Sequence, residues 1–530
     1  MEGVNIMEGV TALSLLPPAL ALAMIIATRR VLPSLGAGII IGALLLNDWG
    51  IPAALADIWE SFAVIFVTDG ALNNWELFII LFLLLLGTTA SLISFSGGSR
   101  AFGNWALHRI KTRTGAQLAT FVFGILIFID DYFNSLTVGQ VSRPVTDRHR
   151  ISRAKLAYIV DSAAAPICVL APLSSWGAYI ITLLDDITES YSEVSMSGFQ
   201  TFLAVLPMNF YALSAITLLF LVIAWNIDIG PMRKHEERAL LHHELLDPSR
   251  ASIPGEQVSN LDEHQGRVRD LVLPIASLII STVIFMVYTG ARAAETVTPI
   301  TIFAETDVAL SLVLGGCIGL IVSMLFTFGK RPAPRAFMLA VWNGARSMMP
   351  AIYILILAWM IVSFISELKT GEYLAGLLDG SIPASFLPAL LFLTAGLIAF
   401  STGTSWGTFT ILLPIAAETA SVIDITMLLP FLAAVIAGAI LGDHISPISD
   451  TTILSSTGAG SHHIDHVITQ LPYAMIAAVV SFIGFLVLGF TGSTTAGLAV
   501  SLVLLLLTAL YLKNTIETLH DGKEVVSKPE

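Results

Sequence analysis

Aspartates placed where lipid should be are the first residues of this 530-residue chain that could do chemistry. Asp130 and Asp131 stand side by side in FIDDYFNSLTVG (128–139), Asp161 lies in YIVDSAAAP, and Asp443 and Asp450 lie in LGDHISPISDTT. Each charge costs about 2.5–3.5 kcal/mol at the centre of a bilayer. Four or five of them left unpaired would sum to roughly 10 kcal/mol or more. The same apolar runs supply no Lys or Arg as partner, so cations from solution, protons or metal ions, must neutralise them. The neighbours are oxygen donors: Asn134, Ser135 and Thr137; Ser446, Ser449, Thr451 and Thr452; Ser174 and Ser175; Ser401, Thr402, Thr404, Ser405 and Thr408. Such a set suits Na+ or another small hard cation, and no Cys or paired His in these runs points to a soft metal. Pro447, Pro166 and Pro172 break their helices and free carbonyls for coordination, and Gly403 and Gly407 let a tip turn. His444 adds a group that titrates near neutral pH. A carboxylate for which Na+ and H+ compete gives exchange directly.

Each residue also has a structural reading. Ser and Thr in membrane helices commonly bond back to their own backbone or join helices. His444 could pack helices, Asp130 or Asp131 could cap a hairpin tip, and Asp161 could pair with Lys155 or Arg153. The HHIDH run (462–466) reads as an interfacial polar cap rather than a metal site.

Composition says what must hold these residues. Hydrophobic residues make up 55% of the chain, charged residues 12%, and mean hydropathy is +0.82. A soluble domain carries about 25% charged residues, so the chain is a polytopic membrane protein. Its apolar runs are too long for the strands of a barrel, which leaves an all-α fold. Net charge of −13 excludes a nucleic-acid footprint, and the 2 cysteines exclude a disulfide framework. The first ten residues contain no Lys or Arg, so the first apolar stretch is expected to stay as a span rather than be removed as a signal peptide.

Apolar runs place about eleven transmembrane helices near 10–28, 31–48, 75–96, 156–186, 200–225, 271–289, 308–328, 349–366, 424–460, 467–490 and 494–512. Segments 114–142 and 384–417 are interrupted at their middles and are too short for two crossings. Basic clusters flank 114–142 on both sides and acidic residues flank 384–417, so the positive-inside rule makes them two re-entrant hairpins entered from opposite faces. The N-terminus is then outside, the C-terminus cytoplasmic, and the membrane the cell (inner) membrane. The chain divides into N-terminal spans (1–74), a first repeat (75–225, with hairpin 114–142 and broken helix 156–186), a cytoplasmic linker (226–270), a second repeat with its leading spans (271–490, with hairpin 384–417 and broken helix 424–460), and a last span with its tail (491–530). The linker, with His235, His242 and His243, reads as a solvated surface helix.

GILIF at 124–128 matches GLIAF at 396–400, and PLSS at 172–175 matches PISD at 447–450, at offsets of 272 and 275. Order and spacing are kept, and the assigned directions are opposite. Two inverted repeats with discontinuous helices meeting at the midplane are the architecture of secondary transporters. An intramembrane enzyme is excluded by the absence of HExxH and of zinc spacing within a span.

LGDHISPISDTTILSSTGA (441–459) resembles the signature of NhaC-type Na+/H+ antiporters. FIDDYFNSLTVG, DSAAAPICVLAPLSSWG (161–177) and FSTGTSWGTFTILLPIA (400–416) resemble that family's other polar segments, and the likeness covers roughly 75–490. It implies Na+, with Li+ as a second candidate, exchanged for H+ by alternating access. It also keeps open a Na+- or H+-coupled exchanger of organic anions, such as malate against lactate, or of amino acids. By matching positions it carries over Asp131, Asn134, Asp443, Ser446, Ser449, Asp450 and Thr451 as ion ligands, with Asp450 leading. Asp443, His444 and Asp450 form the expected proton relay, and Asp130, Asp161, Ser174, Ser175, Thr402, Thr404 and Ser405 are secondary candidates. No cofactor is expected. The expected partners are the lipid bilayer, Na+, H+ and, in the alternative, a small organic anion; a homodimer stays open.

Overall fold

The protein is described by a computed structural model over residues 12–526, apart from 29, 69, 129–130, 173, 191–195, 250–265, 295, 371–372 and 374–382. Helices dominate, as a chain without lipid-compatible polar backbone requires. In chain order they are α1 (Leu16–Thr28), α2 (Val31–Leu46), α3 (Ile51–Val64), α4 (Asn74–Phe95), α5 (Gly98–Arg109), α6 (Arg113–Leu126), α7 (Asp131–Arg148) and α8 (Arg153–Ser162). Then come α9 (Ala165–Cys168), α10 (Ser175–Ser190), α11 (Gly198–Val205), α12 (Phe210–Trp225), α13 (Gly230–Leu241), α14 (Arg269–Ala293), α15 (Pro299–Ala304), α16 (Val308–Phe328), α17 (Pro334–Ser347) and α18 (Met349–Glu367). The last are α19 (Leu387–Thr402), α20 (Ser405–Ile423), α21 (Leu428–Ile445), α22 (Asp450–Ala459), α23 (His463–Thr491) and α24 (Thr494–Val526). One two-residue ladder, Val67–Thr68 against Ala71–Leu72, follows α3.

Among the described residues, eight helices are long and apolar enough to cross a membrane. The chain is an all-α multi-pass membrane protein. Eleven spans were expected from apolar runs; α1, α2 and α18 have shorter apolar stretches and 156–186 is cut into α8, α9 and α10, while Ala384–Thr402, expected as one arm of a hairpin, is itself long and apolar enough to cross. Helix α3 was not foreseen, since Asp57 and Glu60 interrupt its apolar run.

Both interrupted segments are helix pairs. Thr112 caps α6, accepting from Gly115 N at 2.9 Å, and α6 packs on α7 across the break that follows Leu126. In the second segment Gly403 turns α19 into α20 with φ of +69°, and a Cβ there would meet the Ile448 carbonyl at 2.8 Å. Only glycine meets both demands. Contacts are exchanged between the halves of the chain: α7 packs on α22, and α20 packs on α10, while α6 lies on α8 and α19 on α21. The α7–α22 crossing is backbone against backbone, for a Cβ on Gly139 would sit 2.4 Å from the Gly458 carbonyl carbon.

The linker is not a free surface helix. Met232, Glu236 and Ala239 of α13 are buried. Glu236 pairs with Arg113 and accepts from Ser152 N at 2.7 Å, while Lys155 meets Asp228 at 2.6 Å. Charge composition alone hid the docking, because these anions find fixed cations on α6 and α8.

Candidate cation site

The centre of the site is the interruption between α21 and α22. Pro447 cannot donate a backbone hydrogen bond, so the helix stops after Ile445 and restarts at Asp450 with Ser449 as N-cap, accepting from Thr452 N at 3.4 Å. Asp443 lies in the last turn of α21 and is 2% exposed. Ser449 Oγ donates to its Oδ1 at 2.5 Å and Ser405 Oγ, from α20, to its Oδ2 at 3.1 Å. Thr451 Oγ1 lies 2.8 Å from Ser449 Oγ. Among the described residues, no ion pair joins a Lys or Arg to Asp443 or to Asp161. Asp443 is therefore a buried carboxylate surrounded by hydroxyl oxygens, the donor set of a hard cation.

Toward the outside of this cluster Asp450, Asp131 and Thr404 line a cavity of about 320 Å³ together with Glu76, Trp75, Tyr132, Trp359 and Trp406. Tyr132 OH donates to Asp450 Oδ2. Asp450 also begins α22, where the helix dipole favours a negative side chain. Asn134, on α7, points its amide at the Gly124 and Ile127 carbonyls, 2.8 and 2.7 Å away, and so closes the C-terminal end of α6. Its Oδ1 is buried and has no hydrogen-bond partner among the described residues.

His444 sits behind Asp443. Its Nδ1 lies 2.7 Å from Tyr211 OH and its Nε2 lies 3.1 Å from Ser162 Oγ. Asp161 is the hub of a second buried cluster. Ser455 Oγ donates to Oδ1 at 3.0 Å, Gln470 Nε2 donates to Oδ2 at 2.6 Å, and His466 Nε2 lies 3.1 Å from the same oxygen. Gln470 Nε2 is also 2.6 Å from the His444 carbonyl, which links the two clusters.

Several expectations need correction. Asp161 does not pair with Lys155 or Arg153: Lys155 holds Asp228 and Arg153 holds Asp147, leaving His466 for Asp161. His462–His466 is no interfacial cap, because His463 and His466 are 4% and 0% exposed. His463 Nε2 lies 2.7 Å from the Pro447 carbonyl, so that freed carbonyl is taken by the protein itself. Ser174 serves its own helix break, donating to the Cys168 carbonyl at 2.6 Å and accepting from Gly177 N at 2.8 Å. Two further candidates also donate to backbone, which leaves their oxygens' lone pairs for an ion: Thr402 to Ile398 O at 2.8 Å, and Ser446, tying α19 to the break, to Phe400 O at 2.8 Å. Asp130 and the side chain of Ser175 lie outside the described residues. Sequence reasoning missed Tyr211, Gln470, His466 and Ser455. The available signal was Gln470 and His466 four residues apart at the polar start of α23, which puts both on one helix face.

Over residues 167–490 the chain matches the Na+/H+ antiporter family, a stretch holding both halves of the broken helix and the Gln470 face of α23. The chain belongs to this family. A protein of uncharacterised function from Haemophilus influenzae (strain ATCC 51907 / DSM 11121 / KW20 / Rd) is 47% identical over 498 residues, 93% of this chain and 94% of that relative. Two more distant relatives align over a smaller share. The malate-2H(+)/Na(+)-lactate antiporter of Bacillus subtilis (strain 168) is 28% identical over 36% of this chain and 40% of its own length. An uncharacterised Na(+)/H(+) antiporter of the same H. influenzae strain is 34% identical over 25% and 29%. This family member is thus a membrane transporter of the cation/proton antiport class and not an enzyme.

Proposed function

We propose that this antiporter exchanges Na+, and Li+ by the same chemistry, for H+ by alternating access, through the carboxylates Asp443 and Asp450. The observation that carries the reading is the solvation of Asp443 by Ser449 and Ser405 hydroxyls, in a buried break between two half-helices. Asp450 and Asp131 receive the cation at the cavity, with Asn134 Oδ1 as a ligand from the other half of the chain. Asp443, with Ser449, Thr451 and Ser405, holds it occluded. A bare carboxylate is unfavourable in this setting, so Asp443 takes either the metal ion or a proton, and one is exchanged for the other. His444 with Tyr211, and Asp161 with His466 and Gln470, form the path by which the proton arrives or leaves. Two inverted repeats, each a hairpin and a broken helix, provide the two alternating arrangements. The exchanged contacts α7–α22 and α20–α10 support that reading. The N-terminus lies outside and the C-terminus in the cytoplasm, across the cell (inner) membrane.

The test is transport in proteoliposomes carrying an internal pH dye. Na+ or Li+ alone should drive a pH change in the wild type, and Asp443→Asn should abolish it. A pH change that requires malate or lactate would replace this reading with organic-anion exchange. That second reading is favoured by the B. subtilis relative. It is opposed by the cavity, whose charged lining residues among those described, Glu76, Asp131 and Asp450, are all acidic.

A further inference from the structure

The cavity outside Asp443 is larger and more apolar than an alkali cation needs. A bare metal ion is satisfied by a close shell of oxygens, whereas this space of about 320 Å³ falls at the low end of the roughly 300–1,000 Å³ in which small organic ligands sit. Trp75, Trp359, Trp406 and Tyr132 line it, and the charged groups among its described lining residues are Glu76, Asp131 and Asp450, with no Lys, Arg or His among them. The rings are braced: Trp406 lies 4.6 Å from Tyr179 and 5.7 Å from Trp176, centroid to centroid, and Trp75 lies 6.4 Å from Tyr132. Aromatic faces attract an organic cation through their quadrupoles, most strongly for tryptophan and for a desolvated ammonium group. The carboxylates balance its charge. An organic anion entering the same space would meet three acids and, among the described lining residues, no base.

We infer that the cavity between Trp75, Trp359 and Trp406 binds a small organic ammonium ion, which this carrier takes in place of the alkali cation. The inference rests on the reading that the protein trades cations for protons. It goes beyond that reading by assigning the tryptophans to substrate rather than to packing.

Choline is a suitable probe because a quaternary ammonium ion has no free base that could cross the bilayer and move pH by itself. Calorimetric titration of the purified full-length protein should show saturable choline binding, and a choline gradient should drive a pH change in proteoliposomes. Trp359→Leu should weaken choline binding about tenfold and lower choline-driven exchange by more than it lowers Na+-driven exchange. Trp359→Phe, which keeps a ring, should recover most of that loss. Na+-driven exchange in the wild type with no choline binding overturns the inference and leaves the exchange reading standing. Binding of malate in choline's place overturns it too, as does a Trp359→Leu protein that binds choline unchanged. A protein that responds to neither Na+ nor choline overturns both.

Discussion

Replacing Asp443 by Asn should stop exchange without weakening the fold. The wild-type carboxylate is buried with two hydroxyl donors, Ser449 at 2.5 Å and Ser405 at 3.1 Å. Asn has nearly the same shape. Its Oδ1 keeps the Ser449 bond, and its amide can donate to Ser405, whose hydroxyl then turns to the Ala439 carbonyl 3.1 Å away. Hydrogen bonds to a charge are worth about 1 kcal/mol more than neutral ones, so two weakened bonds cost roughly 2 kcal/mol. Removing a charge from the membrane interior returns about 2.5–3.5 kcal/mol. In Na+-free buffer at a pH high enough to ionise Asp443, the net expectation is a variant as stable as the wild type or more stable by about 1 kcal/mol; at lower pH, with Asp443 protonated, both terms vanish and the two proteins should be equally stable. Sodium should then separate the two proteins. At one hundred times its Kd, bound Na+ stabilises the wild type by about 2.7 kcal/mol, and the variant should gain almost none of this. Thermal unfolding in detergent, with and without NaCl, reads both effects. A variant that keeps the full sodium shift would refute the role given to Asp443, and one that unfolds well below the wild type in the absence of Na+ would refute the accounting.

Gly458→Ala should destabilise the α7–α22 crossing by about 1–3 kcal/mol, because the new Cβ would lie 2.3 Å from the Ser135 carbonyl oxygen; the midpoint of thermal unfolding checks it. His466→Leu removes a group 3.1 Å from Asp161 but leaves Ser455 and Gln470. Its cost should be about 1–3 kcal/mol, largely relieved in the double variant with Asp161→Asn; a double-mutant cycle of unfolding free energies measures the coupling. Arg113→Ala leaves the Glu236 carboxylate buried with Ser152 N. Faster tryptic cleavage within α13 is expected, with Na+-driven exchange retained.

Much of the fold could be read from the chain because lipid makes apolar length and polar interruption unambiguous. SPIS at 446–449 breaks the helix where Pro447 requires it, and STGT at 401–404 turns where Gly403 must take a positive φ. The hydroxyls that reach Asp443 were likewise visible as Ser405 and Ser449, since both flank these breaks. Partners remote in sequence were not. Asp161 finds His466 and Gln470 some three hundred residues away because α8 packs on α22 and α23, and His444 finds Tyr211 because α12 packs on α21. No local pattern encodes that assembly. Nor could local sequence show that His462–His466 is buried, since a polar run at a helix start looks the same whether it meets water or a neighbouring helix. Nothing in the local sequence around Trp75, Trp359 and Trp406 signals the cavity to which three separate helices bring them.

The central claim is that one carboxylate holds Na+ and H+ by turns. Calorimetric titration of Na+ into the wild-type protein at a series of pH values tests it most directly. Below the pH at which the site deprotonates, apparent Na+ affinity should fall about tenfold for each unit of pH, with about one proton released per ion bound. Na+ affinity that does not change with pH, with no proton released, would contradict the account.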